Sequence, residues 1–201
     1  MPLEIACLLS AKQLTSKPAG LIVFPEGCCQ ADIDEACRAH PEAVVVGAIA
    51  RRGLAGPCDG ILMYQSQNRI KYSKICGDGR TSRGSGDFSQ HPVYEANDLC
   101  VGVLICMDAD IANADVGRFR TAVIEKVASS SATWRVICIP AQMHDAHFSP
   151  NRIAGFSDVH VVLCNDAFHN PRCRSFVTDT DGNKIAVQVG HEPLVFCLQG
   201  S

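Results

Sequence analysis

Short apolar runs rich in β-branched residues recur along the chain and are separated by Gly, Pro, Asn and Asp. Several runs are continuous rather than alternating, which is typical of strands buried on both faces. The pattern predicts strands at Ile5–Leu9, Leu21–Phe24, Ala43–Ala50, Ile61–Tyr64, Arg69–Lys74, Val101–Cys106, Val136–Ile139, Val159–Leu163, Phe176–Thr178, Ile185–Val189 and Leu194–Leu198.

Helical periodicity falls between these runs. Gln30–His40 has apolar residues on one side, Asn113–Ser131 has the clearest apolar stripe, and Ser149–Phe156 begins like a short helix. Asp181-Gly182 lies between two strand-like runs and predicts a hairpin turn. Strands that alternate with helices, followed by a hairpin-rich end, predict an α/β fold with a mixed sheet.

Composition narrows the class of protein. The 201 residues include 18 Lys+Arg and 21 Asp+Glu, and 47% are hydrophobic. We expect one domain over residues 1–201 with a sizeable core. The near-neutral charge gives no footprint for nucleic acid, and no apolar run is long enough to span a bilayer. The N-terminal segment lacks a basic signal-like region, so we expect neither secretion nor a membrane anchor.

The chain contains 12 cysteines, and most lie inside apolar runs. Buried free thiols of this kind indicate a cytoplasmic protein, whereas a disulfide framework suits short secreted chains. There is no Cys-x-x-Cys pair, and His144 and His147 have helical spacing but no acidic partner, so we expect no metal site. A metal or redox protein is the alternative that the cysteine count alone favours.

Three predicted strand regions end on reactive side chains: the carboxyl group of Glu26, the amine of Lys74 and the thiol of Cys106. The carboxyl ends of strands line the ligand crevice in open α/β sheets. A carboxylate that takes the thiol proton and a cation that favours the thiolate and holds an oxyanion can perform acyl transfer. Each residue alone also fits an ordinary core thiol or surface charge, so the prediction depends on their convergence.

The segments around these residues resemble motifs of the carbon–nitrogen hydrolase (nitrilase) superfamily. They are Val23-Phe24-Pro25-Glu26, Tyr72-Ser73-Lys74 and Gly102-Val103-Leu104-Ile105-Cys106-Met107-Asp108. Val136–Ala141, Val161–Asn165 and Ser175–Gly182 resemble the family's later strands, so the resemblance covers nearly the whole chain. It implies a nitrilase-like α-β-β-α sandwich with mixed sheets.

The resemblance also implies the chemistry. Cys106 is the expected nucleophile, Glu26 the general base and acid, and Lys74 the stabiliser of the tetrahedral intermediate, with the Met107 N–H as a second oxyanion donor. The expected reaction is hydrolysis of a non-peptide C–N bond in a small amide, ω-amide or N-carbamoyl compound, through a thioester and without a cofactor. The alternatives are a catalytically inactive binding or scaffold protein of the same fold, and a nitrilase or acyltransferase variant.

Some segments depart from the family pattern. Only Ala11–Gly20 separates the first two strands, the chain is short for the family, and it lacks a long C-terminal tail. The sequence therefore does not predict the family's usual dimer contacts, although it is compatible with a homo-oligomer. Many members carry a second Glu between the Lys and the Cys, for which Asp87 and Glu95 are the candidates here.

The expected substrate pocket has further candidates. Asp108 matches the family's Asp two residues after the nucleophile, while the Arg and aromatic positions of that segment differ. The three residues that follow the segment Val136–Ala141 are expected to line the pocket: Gln142, Met143 and His144. With Asp87, they complete the set of substrate-binding candidates.

Overall fold

Two six-stranded mixed sheets face each other in the computed structural model. The structure describes residues 1–17, 19–50, 58–75, 89, 91–110, 114–142, 158–166 and 174–200. The first sheet contains β1 (Leu3–Cys7), β2 (Leu21–Cys28), β3 (Val44–Ala50), β4 (Cys58–Tyr64), β5 (Gln67–Ser73) and β12 (Leu194–Leu198). The second contains β6 (Val93–Ala96), β7 (Leu99–Val103), β8 (Trp134–Ala141), β9 (His160–Asn165), β10 (Arg174–Thr178) and β11 (Lys184–Val189).

Strand direction places the carboxyl ends of several strands at the same end of each sheet. The first sheet has the order β12-β1-β2-β3-β4-β5, with β1, β2 and β3 parallel and β3, β4 and β5 successively antiparallel. Strands β2 and β5 therefore run in the same direction. In the second sheet, of order β11-β10-β9-β8-β7-β6, the central strands β7, β8 and β9 are parallel.

The main core lies between the sheets, and helices cover their outer faces. Helix α1 (Gln30–Ala39) packs on β2, β3 and β4 through Ile33, Ala36 and Cys37. Helix α3 (Ala114–Ala128) packs on β6, β7 and β8, and a short helix α2 (Met107–Asp110) precedes it. The architecture is the α-β-β-α sandwich that the sequence resemblance implies, whereas periodicity alone pointed to a single mixed sheet.

Most predicted elements are confirmed, with shifted ends. The prediction of a strand through Cys106 is wrong, because β7 ends at Val103. Strand β6 was not predicted, since its sequence, VYEA, is only four residues long and is interrupted by a Glu. The predicted helix Ser149–Phe156 and residues 77–88 of the predicted loop Gly77–Pro92 lie outside the described residues.

Ten cysteines are described, all as free thiols, and eight of them are buried. Among the described residues, no helix combines the length and apolar character needed to cross a membrane.

Candidate active site

Glu26 and Lys74 form a buried ion pair at the end of the first sheet where β2 and β5 reach their carboxyl termini. Glu26 lies in β2 where the pairing with β3 shifts register on both sides of it, next to Gly27 with φ 92°. Lys74 directly follows β5. The Lys74 Nζ lies 2.7 Å from the Glu26 Oε1, and the residues are 2% and 8% exposed. Each charge compensates the desolvation of the other.

A backbone hydrogen bond also fixes the position of Lys74. Its N–H donates to the carbonyl oxygen of Cys58 at 2.7 Å. Burial lowers the pKa of Lys74, but attraction to Cys106 in its thiolate form and to the Glu26 carboxylate outweighs burial, and the net pKa shift is upward. The side chain is therefore an ammonium ion at neutral pH.

Cys106 lies in a tight turn between β7 and α2 rather than on a strand. Its φ is 46°, a region that non-glycine residues seldom adopt. The Cys106 N–H donates to the carbonyl oxygen of Pro140 at 3.0 Å, and the Cys106 carbonyl accepts the N–H of Ala109 at 3.0 Å. The turn thus fixes the thiol against β8 and at the start of a helix.

The Cys106 thiol is neutral at rest. Burial, and then the charge of Glu26, raise the pKa of Cys106 to about 12, while Lys74 and a backbone hydrogen bond from Gln142 act in the opposite direction. Lys74 therefore favours the thiolate, as expected from the sequence, but it is outweighed. Proton transfer from the thiol needs a base, and Glu26 is the carboxylate beside it.

Comparison with solved structures identifies the architecture, although no family model and no curated protein matches this sequence. The chain superimposes on the NitN amidase from Nesterenkonia sp. AN1 with a TM-score of 0.67 at 13% identity, covering 99% of this chain and 92% of the amidase. It superimposes on Saccharomyces cerevisiae Nit3, of branch 10 of the nitrilase superfamily, with a TM-score of 0.66 at 15% identity, covering 98% and 90% of the two chains.

The chain has the nitrilase-superfamily fold. Another structure of the Nesterenkonia amidase, a variant with acrylamide added to its active-site cysteine, matches with a TM-score of 0.65 at 13% identity. It covers 99% of this chain and 92% of that one.

Met107 and Asp108 follow the thiol in this nitrilase fold. Met107 begins α2, so its N–H belongs to the first helical turn, where backbone donors lack intrahelical acceptors. Asp108 is fully buried, and its Oδ2 accepts the N–H of Ile75 at 3.0 Å. Its carboxylate therefore engages the backbone that follows Lys74.

Gln142 is exposed and directly follows β8. Its backbone, rather than its side chain, makes the hydrogen bond to Cys106 noted above. The predicted pocket residues Met143 and His144 lie outside the described residues.

The two candidates for a second carboxylate have different outcomes. Asp87 lies outside the described residues, as does His147, whose spacing from His144 was considered for a metal site and did not predict one. Glu95 is exposed on β6, and its Oε2 accepts the Ser130 hydroxyl at 2.5 Å. The structure therefore places Glu95 near the end of α3.

Two residues beside the site were not singled out from the sequence. Cys58, at the start of β4, is 2% exposed, and burial followed by the charge of Glu26 raises its pKa. Tyr72 was noted only as part of a motif, yet its hydroxyl accepts the N–H of Ile105 at 2.6 Å. Cys58 lies close to Glu26 and Tyr72 close to Ile105, and each of these pairs is far apart in sequence. No local pattern could therefore have indicated either residue.

Proposed function

We propose that this protein is a nitrilase-superfamily enzyme that hydrolyses a non-peptide C–N bond of a small amide through a cysteine thioester. The observation that carries the proposal is the buried Glu26–Lys74 pair, at 2.7 Å, beside the Cys106 thiol. A base, a cation and a nucleophile in one buried site are the components that acyl transfer requires.

In the first half-reaction, Glu26 takes the Cys106 proton as the sulfur attacks the amide carbonyl carbon. The oxyanion that forms is stabilised by the Lys74 ammonium and the Met107 N–H. Collapse of the intermediate breaks the C–N bond, and Glu26 returns the proton to the leaving nitrogen. The products of this step are an amine or ammonia and a thioester on Cys106.

In the second half-reaction, Glu26 removes a proton from a water molecule that attacks the thioester. The C–S bond breaks, the sulfur regains a proton and the carboxylic acid leaves. The same carboxylate serves both steps because each proton transfer restores it. The scheme uses side chains and backbone of this chain alone.

The structural neighbours support a small amide as the substrate, while an ω-amide or an N-carbamoyl compound stays a prediction from the sequence resemblance. The matched Nesterenkonia structures include one with butyramide and one with acrylamide on the active-site cysteine, both small amides or their adducts. A cytoplasmic location, a homo-oligomer and the absence of a nucleic-acid partner stay predictions from the sequence.

The test is a panel of small amides, nitriles and N-carbamoyl compounds, read by ammonia release and by intact mass after an acid quench. We expect ammonia from at least one compound and an acyl adduct that maps to Cys106. Cys106→Ala should abolish both signals. Cys100→Ala, which removes a buried thiol of β7, is the matched control and should retain them.

A panel that yields neither ammonia nor an adduct with folded protein would contradict the proposal and favour a binding role for the fold. An adduct that survives in Cys106→Ala would assign the nucleophile elsewhere.

A further inference from the structure

The lysine of the site directly follows an edge strand, β5. In β5, four of the seven residues are exposed, and among the strands of the described residues it pairs with β4 alone. Cys106 lies in the turn that follows β7 of the other sheet, so no strand pairing fixes the distance between the Lys74 ammonium and the sulfur. Any fixed geometry between them depends on contacts that cross from one sheet to the other.

The first such contact joins the residue two before Lys74 to the residue just before Cys106. The N–H of Ile105 donates to the Tyr72 hydroxyl oxygen at 2.6 Å. Tyr72 is 3% exposed, and burial, followed by the charge of Asp108, raises its pKa well above its usual value. The hydroxyl is therefore neutral, and a backbone donor at the nucleophile turn is its partner.

The second contact joins the residue just after Lys74 to the residue two after Cys106. The N–H of Ile75 donates to the Asp108 Oδ2 at 3.0 Å, and both residues are buried. The two hydrogen bonds therefore bracket the lysine on one chain segment and the cysteine on the other.

The space for the tyrosine ring comes from a glycine. Gly60 lies opposite Tyr72 in the β4–β5 pairing. A Cβ at Gly60 would lie 2.5 Å from the Tyr72 ring and 3.0 Å from the side chain of Ile105. The ring, the glycine and the residue before the nucleophile are thus packed against one another.

We infer that Tyr72 and Asp108 are positioning residues that hold the Lys74 ammonium at a fixed place beside the Cys106 sulfur across the two sheets. The inference rests on the proposed function where it treats Lys74 and Cys106 as catalytic groups. Tyr72 and Asp108 act through the backbone next to the catalytic residues, by the hydrogen bonds from the Ile105 and Ile75 N–H groups. Neither role follows from the motif resemblance.

The test compares Tyr72→Phe with Tyr64→Phe. Both remove one hydroxyl from a buried tyrosine of the same hairpin, and the Tyr64 hydroxyl accepts the Asn97 amide at 2.6 Å, away from the site. Phenylalanine keeps the ring, so packing beside Gly60 is retained. With a substrate found by the panel, we expect Tyr72→Phe to lower kcat on the order of ten- to a hundred-fold with little change in KM. Tyr64→Phe should match the wild type.

The second readout needs no substrate: the rate at which iodoacetamide alkylates Cys106 as a function of pH. Because Lys74 lowers the pKa of Cys106, its displacement in Tyr72→Phe should raise the apparent pKa of alkylation and slow the reaction at neutral pH. The buried thiols Cys100 and Cys138 serve as internal controls and should keep their wild-type rates. Asp108→Ala removes the other hydrogen bond and should shift the profile in the same direction.

An unchanged Cys106 profile in either folded variant would overturn the inference, as would faster alkylation of all buried thiols, which would indicate general loosening. These outcomes differ from failure of the proposed function, which is an inactive wild type without an acyl adduct. The alkylation profile can support or contradict the positioning role in either case.

Discussion

The two ends of the β4–β5 hairpin carry similar tyrosines in different surroundings. At the turn end, around Tyr64 and Gln67, the Tyr64 hydroxyl accepts a side-chain amide from Asn97, and its ring lies 6.3 Å from that of Tyr94. At the site end, around Cys58 and Ser73, the Tyr72 hydroxyl accepts a backbone N–H beside Cys106. A tyrosine hydroxyl therefore accepts a side-chain amide at one end of the hairpin and the backbone N–H next to Cys106 at the other.

The difference lies in where buried charge is tolerated. Four acidic or basic residues are buried at the site end: Glu26, Asp59, Lys74 and Asp108. At the turn end, the charged Glu95 stays exposed on its strand. Burying charge is costly unless it is paired, and a cluster of paired buried charges is typical of functional sites. The fold is thus ordinary at one end and specialised at the other.

The largest effect expected is on catalysis. Glu26→Gln removes the base at the site end and should lower kcat about 10²- to 10⁴-fold. Glu95→Gln removes a carboxylate at the turn end and should leave kcat unchanged. Because the charge of Glu26 raises the pKa of Cys106, the same variant should lower that pKa, which a thiol titration measures. A fully active Glu26→Gln would show that the base lies elsewhere.

The next effect is on stability and contrasts two ion pairs. Lys74→Met leaves the Glu26 carboxylate buried without its cation and should lower the free energy of unfolding by about 3–5 kcal/mol. Lys17→Met breaks the pair with Glu4, at 3.0 Å with a lysine side chain 60% exposed, and should change it by about 0–1 kcal/mol. Urea unfolding of both variants measures the difference.

The double variant Glu26→Gln with Lys74→Met is the control for that contrast. Since it removes both charges, it should be more stable than Lys74→Met alone. If Lys74→Met and Lys17→Met lowered the free energy of unfolding equally, the Glu26 carboxylate would not depend on Lys74 to compensate its loss of hydration.

A third contrast uses two glycines. Gly60→Ala places a methyl group against Tyr72 and Ile105 and should destabilise the protein by about 1–3 kcal/mol through overpacking. Gly117→Ala lies in α3, where an added Cβ meets, within 4 Å, no described atom beyond its neighbours in sequence and the backbone of its own helix, and it should stabilise by about 0.5–1 kcal/mol. Thermal unfolding of both variants gives the signs, and the same sign for both would contradict the packing described at the site end.

Particular residues show what the sequence could and could not predict about the fold. The continuous apolar runs predicted most strands because burial on both faces leaves a strong local signal. Strand β6 has no such signal and forms through its pairing with β7. The division of the strands into two sheets came from the motif resemblance, since periodicity reports burial and not the partner of a strand.

In the site, too, the motifs predicted some residues, whereas others depend on contacts between distant parts of the chain. Motif spacing singled out Glu26, Lys74 and Cys106, which the structure brings together. It placed Cys106 at a strand end, because the positive φ of the turn has no apolar signature. The contact of Cys58 with this site depends on strand register across the sheet, which its own neighbours in sequence do not encode.

A fourth contrast concerns stability at alkaline pH and again separates buried from exposed groups. Burial raises the pKa of Cys28, like that of Cys106, to about 12 from an ordinary value of 9.0. Between these values the unfolded chain loses thiol protons that the folded protein keeps, so the free energy of unfolding falls as pH rises, by about 1.4 kcal/mol per pH unit for each such thiol. Cys28→Ala should make this decline shallower, whereas Cys29→Ala removes a neighbouring exposed thiol and should leave it as in the wild type. Urea unfolding at several values above pH 9 compares the slopes, and equal slopes in the two variants would mean that the Cys28 thiol is not buried at the site end of β2.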